Sequence, residues 1–128
     1  DTPELEDYGD ATLVGDNGAT FIFKVDWFTP DGLGIWGDGR TFITGTEGTI
    51  EIRKYINVAT DTSGDHVFLV TKDGEEHHQV TGQVGFPFFG EMILDIINGT
   101  EKAMTQAHIF KGQELCLLAQ EQAMNITE

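Results

Sequence analysis

The stretch Gly32-Leu-Gly-Ile-Trp-Gly37 spells G-x-G-x-x-G, the pattern with which dinucleotide-binding folds hold a pyrophosphate. That chemistry needs a strand before the first glycine and a helix opened by the last, whose free N–H groups meet the phosphates. Here Pro30-Asp31 precede the stretch, and Asp38-Gly39-Arg40 lead from it into a further strand pattern. No helix N-terminus is expected, and Asp31 and Asp38 would repel a phosphate, so Gly32 to Gly39 reads as a loop between strands. Four histidines invite a search for a metal. His77 and His78 are neighbours and face opposite sides of a strand. His66 could pair with one of them across a hairpin, but no zinc-ligand spacing is met and Cys116 is remote. Asp61 and Asp65 lack the EF-hand order and read as solvated turn residues. No Ser or Cys stands in a nucleophile pattern with a His. Asn98-Gly99-Thr100 and Asn125-Ile126-Thr127 spell the glycosylation sequon; without a secretion signal both read as chance. Trp27, Trp36 and Tyr55 fall at strand ends and loops, where aromatic rings could cover a sugar face, although packing is the more frequent use of each.

The elements that must position these groups come from one domain's length of chain, 128 residues, with an ordinary apolar share of 39%. The first residue is Asp1, so the chain is expected to be processed or cut from something longer. Twenty-two acidic residues against seven basic ones give a net charge of −15. Such a surface repels nucleic acid and anionic membrane, and its plain role is solubility. No apolar run has transmembrane length and no signal peptide opens the chain. One cysteine forms no internal disulfide. Together these point to a cytoplasmic protein with neither nucleic-acid nor membrane partners.

Asp1 to Asp10 reads as a polar tether and Ala11 to Val14 as a short strand, followed by turn chemistry at Asp16-Asn17-Gly18. Phe21, Phe23, Val25 and Trp27 alternate with polar or smaller neighbours, the mark of a strand with one buried face. Further strands are expected at Thr41 to Thr44, Thr49 to Tyr55, His66 to Thr71 and Glu75 to Val80, the last two flanking Lys72-Asp73-Gly74. After Pro87 the period changes. Phe88, Phe89, Met92, Ile93, Ile96 and Ile97 recur at helical spacing up to Asn98-Gly99. A second helix is expected from an N-cap at Thr105 to about Asn125, apolar on all sides at Leu115 to Ala119 and hence packed on more than one face. Strands first and helices last predict an α+β fold: an open, mainly antiparallel sheet with C-terminal helices packed on one face, in a single domain over 1–128.

Three stretches carry more than residue chemistry. "WGDGRTFITGTEGTIEIRKY" (Trp36 to Tyr55), with "GTEGTIEI" at its centre, resembles the sheet segment of the C-terminal domain of the Gfo/Idh/MocA (glucose-fructose oxidoreductase/inositol dehydrogenase-like) oxidoreductases. "FPFFGEMILDIINGTEKAMTQAH" (Phe86 to His108) and "FKGQELCLLAQEQA" (Phe110 to Ala123) resemble its closing helices. The resemblance runs in order from about Tyr8 to the end. It implies an N-terminal Rossmann domain that binds NAD or NADP, hydride transfer to or from a sugar or polyol carbon, and subunit pairing through the outer sheet face. The family's catalytic lysine lies in a Glu-Lys-Pro motif, and its Asp and His lie four apart on a helix. This sequence contains no Glu-Lys-Pro. The resemblance therefore implies a substrate-side and oligomerisation domain without catalytic residues, cofactor-binding residues or a metal site of its own. Trp36, Arg40, Lys54, Tyr55 and His108 are the candidates to face a sugar. Surface charge is a competing role for Arg40 and Lys54, and capping or packing for His108. The alternative is a free-standing carbohydrate-binding or structural module of the same fold.

Overall fold

The computed structural model describes residues 6–60, 64–124 and 126. The elements run β1 (Tyr8–Val14), β2 (Thr20–Asp26), β3 (Gly39–Thr44), β4 (Gly48–Lys54), β5 (His66–Thr71), β6 (Gly74–Gln79), α1 (Pro87–Asn98) and α2 (Gln106–Gln122). The class is α+β, as the order of periods predicts: an antiparallel two-stranded ribbon β1-β2, an open antiparallel sheet β3-β4-β5-β6, and two closing helices. The chain divides into two compact units, Asp1–Val25 with Phe86–Glu128, and Asp26–Gly85.

In the Asp26–Gly85 unit the register follows from the alternation. Ile43 stands opposite Ile50, and Ile50 opposite Leu69; Ile52 stands opposite Val67. One face thus carries aliphatic residues. The other carries Arg40 and Phe42 from β3, Glu51 and Arg53 from β4, His66 and Phe68 from β5, and His77 from β6. Thr71 pairs directly with Gly74, so the turn residues are Lys72 and Asp73, and the glycine opens β6. After β4, Tyr55 takes a left-handed φ of 74° and its N–H donates to Asp65 Oδ1 at 3.1 Å. Asp65 in turn donates its N–H to Thr81 Oγ1 at 2.6 Å, which fastens the end of β6 to the start of β5.

In the other unit, Gly18 takes φ 82° in the β1–β2 turn, and Gly15 accepts its N–H at 2.9 Å. Pro87 starts α1, where a missing N–H costs nothing, and Gly99 ends it at φ 62°, donating to the Asp95 carbonyl. Thr105 caps α2 as expected, its hydroxyl accepting the His108 N–H at 3.2 Å. Asp95 organises the connection between the helices. Its carboxylate accepts the Thr100 hydroxyl at 2.5 Å and the Ala103 N–H at 2.8 Å, and its carbonyl the Thr100 N–H at 3.0 Å.

Several boundaries differ from expectation. β1 begins at Tyr8, within the stretch read as a tether, because its pairing with β2 continues outward and the Lys24 ammonium lies over the Tyr8 ring. β2 ends at Asp26, whose carboxylate takes the Phe28 N–H at 3.0 Å and turns the chain before Trp27. α2 closes at Gln122; Asn125 lies outside the described residues. The largest difference is burial. The expected buried face of β2 is open at Phe21 and Val25, and Leu117 in the middle of α2 is 71% exposed. Among the described residues, the buried ones are Ile56, Asn57, His66 and Asp95.

Large apolar side chains are exposed in both units, among them Ile96, Ile97 and Phe110 in one and Trp36 and Phe42 in the other. Patches of that kind mark surfaces that associate.

Candidate functional site

The loop between β2 and β3 forms an open cleft of about 440 Å³ lined by Asp26, Phe28, Thr29, Pro30, Gly32, Leu33 and Asp38. Its walls follow from local rules. The Asp26 side chain turns the backbone at Phe28, and Leu33 N–H closes a turn onto the Pro30 carbonyl at 3.0 Å. Asp38 stands just before β3, two residues from Arg40. The guanidinium grips that carboxylate through Nε at 3.1 Å and Nη2 at 2.6 Å. The hydrogen bond to Asp38 comes first among the causes that hold Arg40 above its ordinary pKa, with the charges of Asp38 and Glu51 adding to it. The same grip fixes the Asp38 oxygens at the cleft.

Next to the lining residues in the chain, Trp27 and Trp36 meet edge to face, ring centres 5.7 Å apart at 65°. Both are exposed, Trp36 at 82%. Carboxylates, which can accept O–H groups, beside exposed indole rings, which can cover C–H faces, suit a polyhydroxylated molecule.

The five sequence candidates are divided between the two units. Trp36 and Arg40 belong to the cleft loop and its exit. Lys54 lies on the sheet face opposite Arg40, where its stem crosses Gly39 and its ammonium sits 4.8 Å from the Tyr55 ring centre. Hydrogen bonding to Tyr55 comes first among the causes that raise the Lys54 pKa, followed by the charges of Tyr55 and Asp65. His108 belongs to the other unit, in the first turn of α2.

The residues of Gly32 to Gly37 do not fit a dinucleotide. They form turns and bends between two strands, with no helix to follow, as their flanks predict. Asp73 stands four residues before His77, the spacing the resemblance places on a helix, but the pair occupies a hairpin turn and its returning strand. Among the described residues, no three His, Cys, Asp or Glu side chains converge on a metal position.

Sequence reasoning passed over Asp26 and Asp38 as binding groups. Their signal was present: Asp26 precedes the turn sequence by three residues, and Asp38-x-Arg40 is a same-side spacing at a strand start. The expected pairing across the hairpin is found at His66 and His77, with His66 Nδ1 2.9 Å from His77 Nε2. His78, on the opposite face, bonds Glu76 at 3.0 Å.

No family model matches the chain, and no curated protein matches it. A solved structure does. The chain is similar to the crystal structure of a "putative oxidoreductase" from Erwinia carotovora atroseptica SCRI1043, with 53% identity and a TM-score of 0.91. The likeness covers 98% of this chain and 37% of that one. The chain thus spans little more than a third of the length of the Erwinia protein, and it corresponds to one part of an oxidoreductase-like chain. No described helix is long and apolar enough to cross a membrane.

Proposed function

We propose that this chain is the substrate-side and subunit-pairing domain of a longer, cytoplasmic NAD- or NADP-dependent sugar or polyol oxidoreductase of the Gfo/Idh/MocA kind, without catalytic activity by itself. The likeness of nearly the whole chain to 37% of the Erwinia protein carries the reading. The large uncovered apolar surface supports it, because a Rossmann domain preceding this one and a second subunit would both need surface to rest on. The polar and aromatic sheet face of Phe42, Arg53 and Phe68 suits the subunit contact, since an interface core favours aromatic residues and arginine over lysine. The nicotinamide, held by the other domain, supplies hydride exchange with the sugar carbon. In this chain, Asp26 and Asp38 accept hydroxyl hydrogen bonds, Arg40 holds Asp38 in position, and Trp27 and Trp36 cover the sugar's apolar side and exclude water.

Such residues bind the substrate equally before and during hydride transfer, so their removal is expected to raise KM and leave kcat nearly unchanged. Trp36→Ala and Asp38→Asn in the longer enzyme are each expected to raise KM about tenfold, the equivalent of about 1.4 kcal/mol of lost binding. Steady-state kinetics with NAD and NADP over a panel of aldoses and polyols reads both constants. Hydride transfer by this chain alone would overturn the proposal. Binding of sugars by a natural protein no larger than this chain would favour the free-standing module.

A further inference from the structure

We propose that Lys54 and Tyr55 form a paired donor site for an oxygen of the sugar, and that the Tyr55 side chain serves substrate contact although its backbone position favours glycine. The proposal rests on the reading that this domain faces a sugar. Tyr55 is the one described residue other than glycine with a positive φ, at 74°. Bulky side chains sparsely populate that left-handed state, whereas glycine enters it without a steric penalty. Such positions cluster at binding and catalytic sites, where the surroundings hold the strained backbone in place.

At Tyr55 the backbone is held without help from the ring. Its N–H donates to Asp65 Oδ1 at 3.1 Å, and the Asp65 N–H donates to Thr81 Oγ1 at 2.6 Å. Both bonds are made by groups that Tyr55→Gly retains. The ring meets Lys54 instead. Consecutive residues of a strand point to opposite faces, and Lys54 ends β4 on the side of Ile50 and Ile52. The left-handed backbone of Tyr55 breaks that alternation, and its ring centre comes to 4.8 Å from the Lys54 ammonium. Both side chains are exposed, so the pair is open to a ligand.

The chemistry of the pair complements that of the cleft. Arg40, Arg53 and Lys111 are each bonded to a carboxylate, at Asp38, Glu51 and Glu114. Lys54 has the Tyr55 phenol as its leading partner, which favours the charged ammonium. An ammonium brings three protons and no acceptor, and a phenol that accepts one of them keeps its own proton to give. The pair is therefore rich in donors, whereas the ionised Asp38 at the cleft offers acceptors alone. A polyol can use both, because each hydroxyl gives one hydrogen bond and takes others. The Lys54 stem lies across Gly39, its partner in the ladder, and Gly39 follows Asp38 of the cleft wall. Donors and acceptors thus stand at the same end of β3.

Steady-state kinetics and thermal unfolding of variants in the longer enzyme test the pair, with NAD and NADP over a panel of aldoses and polyols. Tyr55→Gly is expected to raise KM about tenfold, the scale of one or two lost hydrogen bonds. Its kcat stays nearly unchanged and its thermal midpoint is kept or raised, since glycine suits the left-handed backbone. A lowered midpoint would make the ring part of the fold and overturn the proposal. Tyr55→Phe and Lys54→Met each remove donors while keeping the ring or the stem, and each is expected to raise KM several-fold. Because the two side chains act as one unit, the double variant is expected to lose less than the product of the single losses. An unchanged KM in Tyr55→Gly and Lys54→Met, in an enzyme that turns over a sugar, overturns the pair and leaves the sugar-facing reading standing. An enzyme that exchanges hydride with no sugar or polyol overturns both.

Discussion

Replacing Gly48 by alanine is expected to destabilise the four-stranded sheet by about 3 kcal/mol or more, whereas the same change at Gly45, three residues earlier, leaves its stability nearly unchanged. Both glycines belong to the Gly45-Thr-Glu-Gly48 turn between β3 and β4, and only one of them is required by its surroundings. A Cβ at Gly48 lands on the Val70 carbonyl oxygen of β5, with the carbonyl carbon 3.3 Å and Thr71 Cα 3.4 Å away. Those atoms are backbone, and Gly48 pairs directly with Thr71, so no rotamer change relieves the contact. The strands must separate where β4 enters the ladder, and that end also carries the turn bond from Gly45 N–H to the Gly48 carbonyl at 2.9 Å. Overpacking of side chains costs about 1–3 kcal/mol, and a clash with fixed backbone belongs at or above the top of that range. A Cβ at Gly45 meets only the Gly48 oxygen, at an ordinary 3.7 Å. Urea titration of both variants by circular dichroism separates the cases. Equal midpoints would mean that the β4–β5 pairing shifts freely to admit the methyl group.

The contrast between these two glycines shows what a sequence can disclose. The turn itself was legible, because two glycines between alternating strands allow little else. That one of them lies against the partner strand's backbone is a property of the pairing β4–β5, which brings residues 48 and 71 together. The strands were legible for the same reason as the turn: Ile50 and Ile52 alternate with Glu51 and Arg53, and period two survives whatever lies on either face. Burial was not legible. Phe21, Phe23 and Val25 carry the pattern of a covered strand, but the pattern records only which side is apolar. What covers that side is not written in the strand itself. The cleft was hidden for a different reason, since Asp26 and Asp38 look like solvated loop residues until an Asx turn and a guanidinium fix their oxygens. The His66–His77 bond lay between. Hairpin arithmetic places the two on one side of adjacent strands, but only the ring positions show a nitrogen facing a nitrogen.

Asp95 was the residue least visible in the sequence, and its replacement is expected to have the other large effect. It stands in α1 amid Met92, Ile93, Leu94, Ile96 and Ile97, and the helical period of those apolar residues does not single it out. In the structure Asp95 is the buried residue of α1 and the isoleucines are open. The bond from the Thr100 hydroxyl comes first among the causes that hold Asp95 below the ordinary aspartate pKa, followed by the backbone N–H groups of Lys102 and Ala103 and the Lys102 charge. Asparagine can keep the bond from Thr100 but offers an N–H where Ala103 needs an acceptor, so Asp95→Asn is expected to lower the thermal midpoint by several degrees at pH 7. The sign of the pH dependence is fixed by the lowered value. The carboxylate's contribution is complete above the ordinary aspartate range and is lost as pH falls through the lower pKa of the folded state. The other acidic residues titrate in both proteins, so the difference between parent and variant isolates Asp95. That difference is expected to stay constant from pH 7 down to the ordinary carboxylate range and to vanish at more acid pH. A difference that persists undiminished would assign Asp95 a packing role, with its charge irrelevant to the turn that joins the two helices.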